Sequence, residues 1–385
     1  MRNLIGMVLA VGLLFTAVPL EAQQTCPASI VVAGSPEDAL MTAVSGASDP
    51  QGQVAALDQY AQAHADSKFM SCVDEYYTLA YLKLNNYPKA IEYGKKALAI
   101  PYQDTMILLN LTKAYVGAGQ ATPEAFSVIS KAPAEIKKEE PSRVSTASNA
   151  EWQKTVGDYA AQMKDIRAYE EYAFFALLPR VTDANQRIKY LDAFGQAYPG
   201  DDASELNFAY FAAYKGLNNI AKADEYGDKA IAADPNNVQA LNLVAFDYAF
   251  GRTNPSKAAT YARKVLELAP ALKKPANMTD EQFSEEKDTQ LGLAHLTLGY
   301  IDFLNAGRTR RVSSAEDEFK SAIGLLKAQP AYQAQALYFL GNAYEFQSPP
   351  NHHLAAEVLT RAAGMESPWQ GQARELLAKV KHAER

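Results

Sequence analysis

The chain repeats itself, and that feature limits its fold more than any other. The run Leu84-Asn85-Asn86-Tyr87-Pro88-Lys89-Ala90-Ile91-Glu92-Tyr93-Gly94-Lys95-Lys96-Ala97 returns further along as Leu217-Asn218-Asn219-Ile220-Ala221-Lys222-Ala223-Asp224-Glu225-Tyr226-Gly227-Asp228-Lys229-Ala230. Upstream, Asp49, Val54, Leu57, Asp58, Tyr60 and Gln62 answer to Asp183, Ile188, Leu191, Asp192, Phe194 and Gln196 at nearly the same offset; downstream, Tyr115 answers to Tyr248. A block of roughly eighty residues therefore occurs twice, and inside each copy Ala80-Tyr81 and Ala114-Tyr115, or Tyr214 and Tyr248, lie 34 residues apart. A fixed period in the range of about 20–50 residues marks supersecondary units that stack on their neighbours because none can bury its apolar face alone. Length alone would suggest two or three separate cores; repetition replaces that count with an array.

The unit Leu340-Gly341-Asn342-Ala343-Tyr344, followed by Ala356, Ala363 and Pro368, has the letters of the tetratricopeptide repeat, and Ala223, Ala230, Pro235 and Ala258, Val265, Pro270 keep the same spacing. Over most of residues 50–370 the chain resembles that family. The resemblance implies an all-α fold, a right-handed superhelical α-solenoid of antiparallel helix pairs. Small residues at the helix crossing let axes approach while Tyr and Leu fill the space between units. The expected organisation is a leader at 1–22, an irregular segment at 23–48, a first block at 49–131, a linker at 132–150, a second block at 151–270, a polar insertion at 271–288, further units at 289–368 and a capping helix at 369–385. The linker and insertion are placed by Pro133, the Lys137-Lys138-Glu139-Glu140-Pro141 run and Pro275, which interrupt the helical pattern.

The start reads as an export signal: Arg2, an apolar run from Leu4 to Val18, then Ala22 at a cleavage position. About fifteen apolar residues fall short of the roughly twenty that cross a bilayer as a helix. The expectation is an exported protein, periplasmic or secreted, with no membrane span in the mature chain. The 37 Lys and Arg stand against 44 Asp and Glu, a net charge of −7 without a basic stripe, which argues against phosphate-held nucleic acid. The only cysteines, Cys26 and Cys72, can form a disulfide outside the cytosol or remain two unrelated thiols.

Catalysis leaves no motif that survives its context. His-Glu-x-x-His, Gly-x-Ser-x-Gly, Cys-x-x-Cys and the phosphate loop are absent from the sequence. Ser284-Glu285-Glu286-Lys287 matches Ser-x-x-Lys without the companion motifs. His352-His353 are adjacent, so on a helix they would diverge by about 100°; they are expected in a loop after Pro349-Pro350, and no metal or cofactor is expected. Asn110 and Asn277 head glycan-acceptor triplets, Asn110 inside a helix.

A non-catalytic scaffold for a protein or peptide partner is what the family resemblance implies. Its groove positions, carried over from the family, are Lys113, Asn242, Phe246, Phe250, Tyr338, Asn342 and Phe346. Displayed there, the aromatics would add little to the fold, and changing Phe250 and Phe346 to Ala would leave the thermal midpoint nearly unchanged while weakening capture of the partner. Tyr248 and Tyr344, which pack between units, would not be so tolerant. The alternative is a binding module for a small molecule or glycan using the same aromatics; a hydrolase with an unrecognised site is the third class.

Overall fold

The structure, a computed structural model, describes residues 31–99, 105–142, 147–200, 203–276 and 278–383. The expected leader lies outside the described residues. Among those described there are seventeen α-helices and no strand. After α1 (Pro36–Gly46) come α2 (Pro50–Ala63), α3 (Met70–Lys83), α4 (Tyr87–Leu98), α5 (Thr105–Ala118), α6 (Pro123–Lys138) and the long α7 (Asn149–Leu177). The same six-helix pattern then recurs as α8 (Ala184–Ala197), α9 (Ala203–Gly216), α10 (Ile220–Ala233), α11 (Val238–Phe250), α12 (Pro255–Leu268) and the long α13 (Asp280–Asn305), each helix starting at nearly the same offset from its counterpart. Helices α14 (Ser313–Leu325), α15 (Pro330–Phe346), α16 (His352–Gly364) and α17 (Gln370–Ala383) complete the described chain. The duplication is thus longer than the letters reveal. Even the long helices begin alike, with the capping boxes Ser148/Glu151 and Thr279/Gln282, in which two orphan donors of the first turn are satisfied reciprocally.

The 34-residue spacing of the tyrosines has a backbone cause. At the ends of α3, α5, α9 and α11 the chain reverses through one left-handed residue: Asn85 (φ 54°), Gly119 (φ 63°), Asn218 (φ 56°) and Arg252 (φ 58°). The next N–H, that of Asn86, Gln120, Asn219 or Thr253, then donates back to the carbonyl of Tyr81, Tyr115, Tyr214 or Tyr248. This six-to-one closure satisfies a carbonyl that the helix end would orphan. In three of the four turns an Asn at the following position, or two beyond it, caps the next helix: Asn86 accepts from the Lys89 N–H, Asn219 from Lys222 and Asn254 from Lys257. Arg252 tolerates a conformation that favours glycine and donates from Nε to the Tyr300 hydroxyl at 3.2 Å.

Second helices carry the small residues. Ala90, Ala125, Ala223, Ala258 and Ala355 are fully buried, and Ala315 nearly so. At Gly341 a Cβ would stand 2.6 Å from Leu359, so the α15–α16 approach requires glycine. Both copies also stack three tyrosines across their first helix pair, with ring centroids 4.3–6.1 Å apart for Tyr77, Tyr81 and Tyr93 and 4.5–6.3 Å for Tyr210, Tyr214 and Tyr226. A lysine sits over the outer ring in each, Lys96 at 4.4 Å and Lys229 at 4.5 Å.

The described residues fall into two compact units, one ending at Asp201 and one beginning at Asp202. The division lies inside the second copy, because α8 packs on α6. Three expectations are corrected. Residues 36–46 are helical rather than irregular: Ser35 caps α1, Pro36 sits where the missing N–H costs nothing, and Leu40 and Val44 are buried, in a helix that packs on α2. The polar insertion shrinks, since Asp280–Lys287 form the opening turns of α13 under the Thr279 cap. The linker shrinks likewise, because α6 runs through Pro133 to Lys138.

Proline inside a helix removes the donor that the carbonyl four residues earlier needs. Here that carbonyl belongs to Ile129, and the buried Tyr198 hydroxyl, at the end of α8, donates to it at 2.9 Å. The side chain supplies the bond that Pro133 deletes. Tyr198→Phe should therefore destabilise the N-terminal unit by about 1–2 kcal/mol, and much less in a Pro133→Ala background, where the helix provides its own donor. Urea denaturation of the four proteins in the cycle decides it; equal costs in both backgrounds would refute the compensation.

Candidate functional site: the first-helix faces

In the C-terminal unit the first helices α11, α13 and α15 lie side by side, and α17 joins α15. Their rings form one connected series. Phe246 meets Phe250 at 4.3 Å and Tyr332 at 5.6 Å; Phe250 stacks on Tyr300 at 4.3 Å; Tyr300 meets Phe339 at 4.9 Å; Phe339 and Tyr338 both reach Trp369 at 5.2 Å. Phe246, Phe250, Tyr332, Tyr338, Phe339 and Trp369 are each half-buried, leaving part of each residue accessible, whereas Tyr300 is buried. Offset and edge-to-face rings at about 4.5–7 Å add attraction beyond area burial.

Of the seven expected groove residues, the structure brings three into this series: Phe246, Phe250 and Tyr338. None is simply displayed, because each ring also packs against its neighbours, and this corrects the expectation that they contribute little to the fold. Asn342 is half-buried and donates from Nδ2 to the Tyr338 carbonyl at 2.9 Å. Phe346 forms a separate pair with Phe303 at 5.5 Å, and the Arg310 guanidinium lies 5.2 Å from its ring. Asn242 is buried at 1% exposure and donates from Nδ2 to the Gln290 carbonyl and Oε1, at 2.8 and 2.6 Å, tying α11 to α13. It faces the interior rather than a partner.

Lys113 belongs to the N-terminal unit. On α5, it is half-buried with its ammonium 5.7 Å from the Tyr169 ring, and burial holds its pKa below the usual lysine value. Opposite it on α7 is Glu170, fully buried, with no hydrogen bond of good geometry to either carboxyl oxygen. The Thr112 hydroxyl and the Lys113 charge face it, yet burial dominates and pushes the carboxyl up to about 8. The position that corresponds to Lys113 in the second copy is Phe246. A single Glu within Tyr169-Glu170-Glu171-Tyr172 gave no sequence signal of burial. Tyr332, Phe339 and Trp369 were also missed; only their spacing along the carried-over helices could have suggested them.

The other leads resolve simply. Cys72 is buried and disulfide-bonded, and Cys26 lies outside the described residues. His352 opens α16 instead of lying in a loop, capped by Asn351, and its Nδ1 is 2.8 Å from Glu345 Oε1. Asn110 is buried at 2% exposure, and Asn277 lies outside the described residues. Among the described residues no three His, Cys, Asp or Glu side chains gather as metal ligands, and no helix is long and apolar enough to cross a membrane.

No family model matches the chain, and no curated protein does. Two solved structures are similar to it at 12% identity. One is the APC/C hetero-tetramer Cut9-Hcn1, with 90% of this chain and 64% of that chain covered and a TM-score of 0.41. The other is the P58(IPK) TPR domain, with 90% and 96% covered and a TM-score of 0.26.

Proposed function

We infer that the chain is an exported, non-catalytic scaffold of tetratricopeptide-like helix pairs that holds a protein or peptide partner against the first helices of its C-terminal unit. The observation that carries this reading is the series of rings from Phe246 to Trp369, partly accessible except for the buried Tyr300 that links them. Large aromatic rings on neighbouring helices provide anchor area, and aromatic residues, Trp and Tyr above all, dominate binding energy. Export rests on the leader-like start, and a Cys26 to Cys72 bridge fits that setting. The alternative ligand, a small molecule or glycan, would use the same rings without requiring a long surface.

The test is capture from cell-envelope extract with the mature protein as bait, its N-terminus first checked by mass. Tyr338→Ala and Trp369→Ala together should reduce recovery of any specific partner at least tenfold while the far-ultraviolet helical signal of the whole chain at the capture temperature stays at the wild-type level. Undiminished recovery by the folded variant would remove these rings from the site.

A further inference from the structure

The second helices carry a recurrent feature of their own. Counting from the buried alanine of each second helix, the residues at +5 of one helix and at +3 and +6 of the next converge over the repeat tyrosine. In the N-terminal unit these are Lys95 (from Ala90), Val128 and Lys131 (from Ala125), over Tyr115. With Leu98 and Leu111 they line an open pocket of about 440 Å³ between α4 and α6. The same positions in the C-terminal unit are Lys320 (from Ala315), Val358 and Arg361 (from Ala355), over Tyr344, lining a pocket of about 350 Å³ between α14 and α16.

The unit between α10 and α12 shows what fills such a space. There the +3 residue is Tyr261 and the +5 residue is Asp228. The Tyr261 ring lies 6.3 Å from that of Tyr248, and its hydroxyl donates to Asp228 Oδ1 at 3.1 Å, beside the Tyr248 hydroxyl bond to the same oxygen at 2.9 Å. The chain supplies its own aromatic plug and its own acceptor. In the open copy the ring is replaced by Val128 and the acceptor by the cation Lys95. The flanking charges are exchanged as well: Lys257, which bonds Asp228 at 2.5 Å, has Glu124 as its counterpart, and Asp228 has Lys95. A complementary occupant therefore keeps the aromatic ring and reverses the charge beside it.

We propose that the pocket over Tyr115, between α4 and α6, is a docking site for an acidic protein segment with an aromatic anchor, the ring entering above Leu98, Leu111 and Val128 and flanking carboxylates meeting Lys95 and Lys131. This surface lies between the second helices α4 and α6, with Leu111 and Tyr115 of α5 beneath it, and does not depend on the ring series of the C-terminal unit. The equivalent pocket over Tyr344 is the weaker of the two, since Lys320 is already paired with Glu316 at 2.6 Å.

The probe is a fluorescein-labelled peptide, Gly-Asp-Glu-Phe-Glu-Asp-Gly, titrated with the full mature chain and read by anisotropy. Saturable binding that weakens severalfold between 50 and 200 mM salt is expected, as charge steering requires. Val128→Tyr, which copies the plug of the second unit, should weaken binding at least tenfold with an unchanged circular dichroism spectrum. Lys95→Asp with Lys131→Glu should do the same without filling the pocket, which covers the case in which Val128→Tyr does not fold. A peptide with Ala for Phe should lose most of the affinity. No saturable binding up to 1 mM, or full binding by Val128→Tyr or by the charge variant, would overturn the proposal; loss of binding on Trp369→Ala instead would assign the peptide to the first-helix surface.

Discussion

Raising the pH from 6 to 8 should cost the N-terminal unit about 2–3 kcal/mol of stability, with Glu170 responsible. The folded carboxyl is pushed up from 4.5 to about 8 by burial against α5. A group whose folded pKa is raised contributes stability in full below its unfolded pKa, and the contribution is lost as pH rises through the folded value. The loss therefore begins near pH 4.5 and ends near pH 8. Asp74, also raised by burial, to about 6, shares only the lower part of that window, so the slope above pH 6 is the part expected to belong to Glu170. Lys113, with its pKa lowered mainly by desolvation, is the cation that relieves Glu170, and Tyr169, Tyr198 and Thr112 are the other groups facing it. Urea midpoints followed through Trp152 in a Trp369→Phe background isolate this unit, since the chain has only two tryptophans. Glu170→Gln should flatten the profile above pH 6. A slope that survives the substitution would place its source elsewhere.

Tyr248→Ala should destabilise the C-terminal unit by about 3–5 kcal/mol, the range for deleting a buried ring. The residue is 1% exposed, and its hydroxyl donates to Asp228. Its backbone carbonyl closes the turn at Arg252 in any variant, so the loss comes from the ring and hydroxyl alone. Tyr248→Phe, which keeps the ring, should cost only about 1 kcal/mol. Phe250→Ala should fall between, at about 2 kcal/mol, because only part of its ring area is buried and that part stacks on Tyr300. A free groove residue would instead have left the midpoint unmoved. Thermal and urea midpoints read through Trp369 in a Trp152→Phe background rank the three; Phe250→Ala without effect would restore the simple display expected from the sequence.

The helical class, the 34-residue unit and the doubling were legible because they are written in residue types at fixed spacing: Ala where helices cross, Tyr where units meet, Asn where a helix starts. The full length of the doubling was not, since α7 and α13 share a capping box and little else that letters reveal. Pro133 was misread for a physical reason. Its penalty is met by Tyr198, far along the chain, and no local pattern announces a remote donor. The same limit hid the side chains beside the carried-over positions. Spacing assigned Asn242 and Phe250 to one surface, but the partner helix decides exposure, and Gln290 draws Asn242 inward while Tyr300 draws Phe250 only halfway. Glu170 is the extreme case, a charge-bearing residue in a polar run that tertiary packing seals off.

The bond from Tyr198 to Ile129 has a temporal meaning. A chain emerging from its amino end presents α6, with its proline gap, well before the residue that closes it has been made. Until position 198 arrives, one carbonyl in α6 must rely on water. The N-terminal unit is thus complete only when a helix of the second copy has been delivered, so the first copy is not a self-sufficient module, and the seam between the copies in sequence is not the seam at which the protein can be cut.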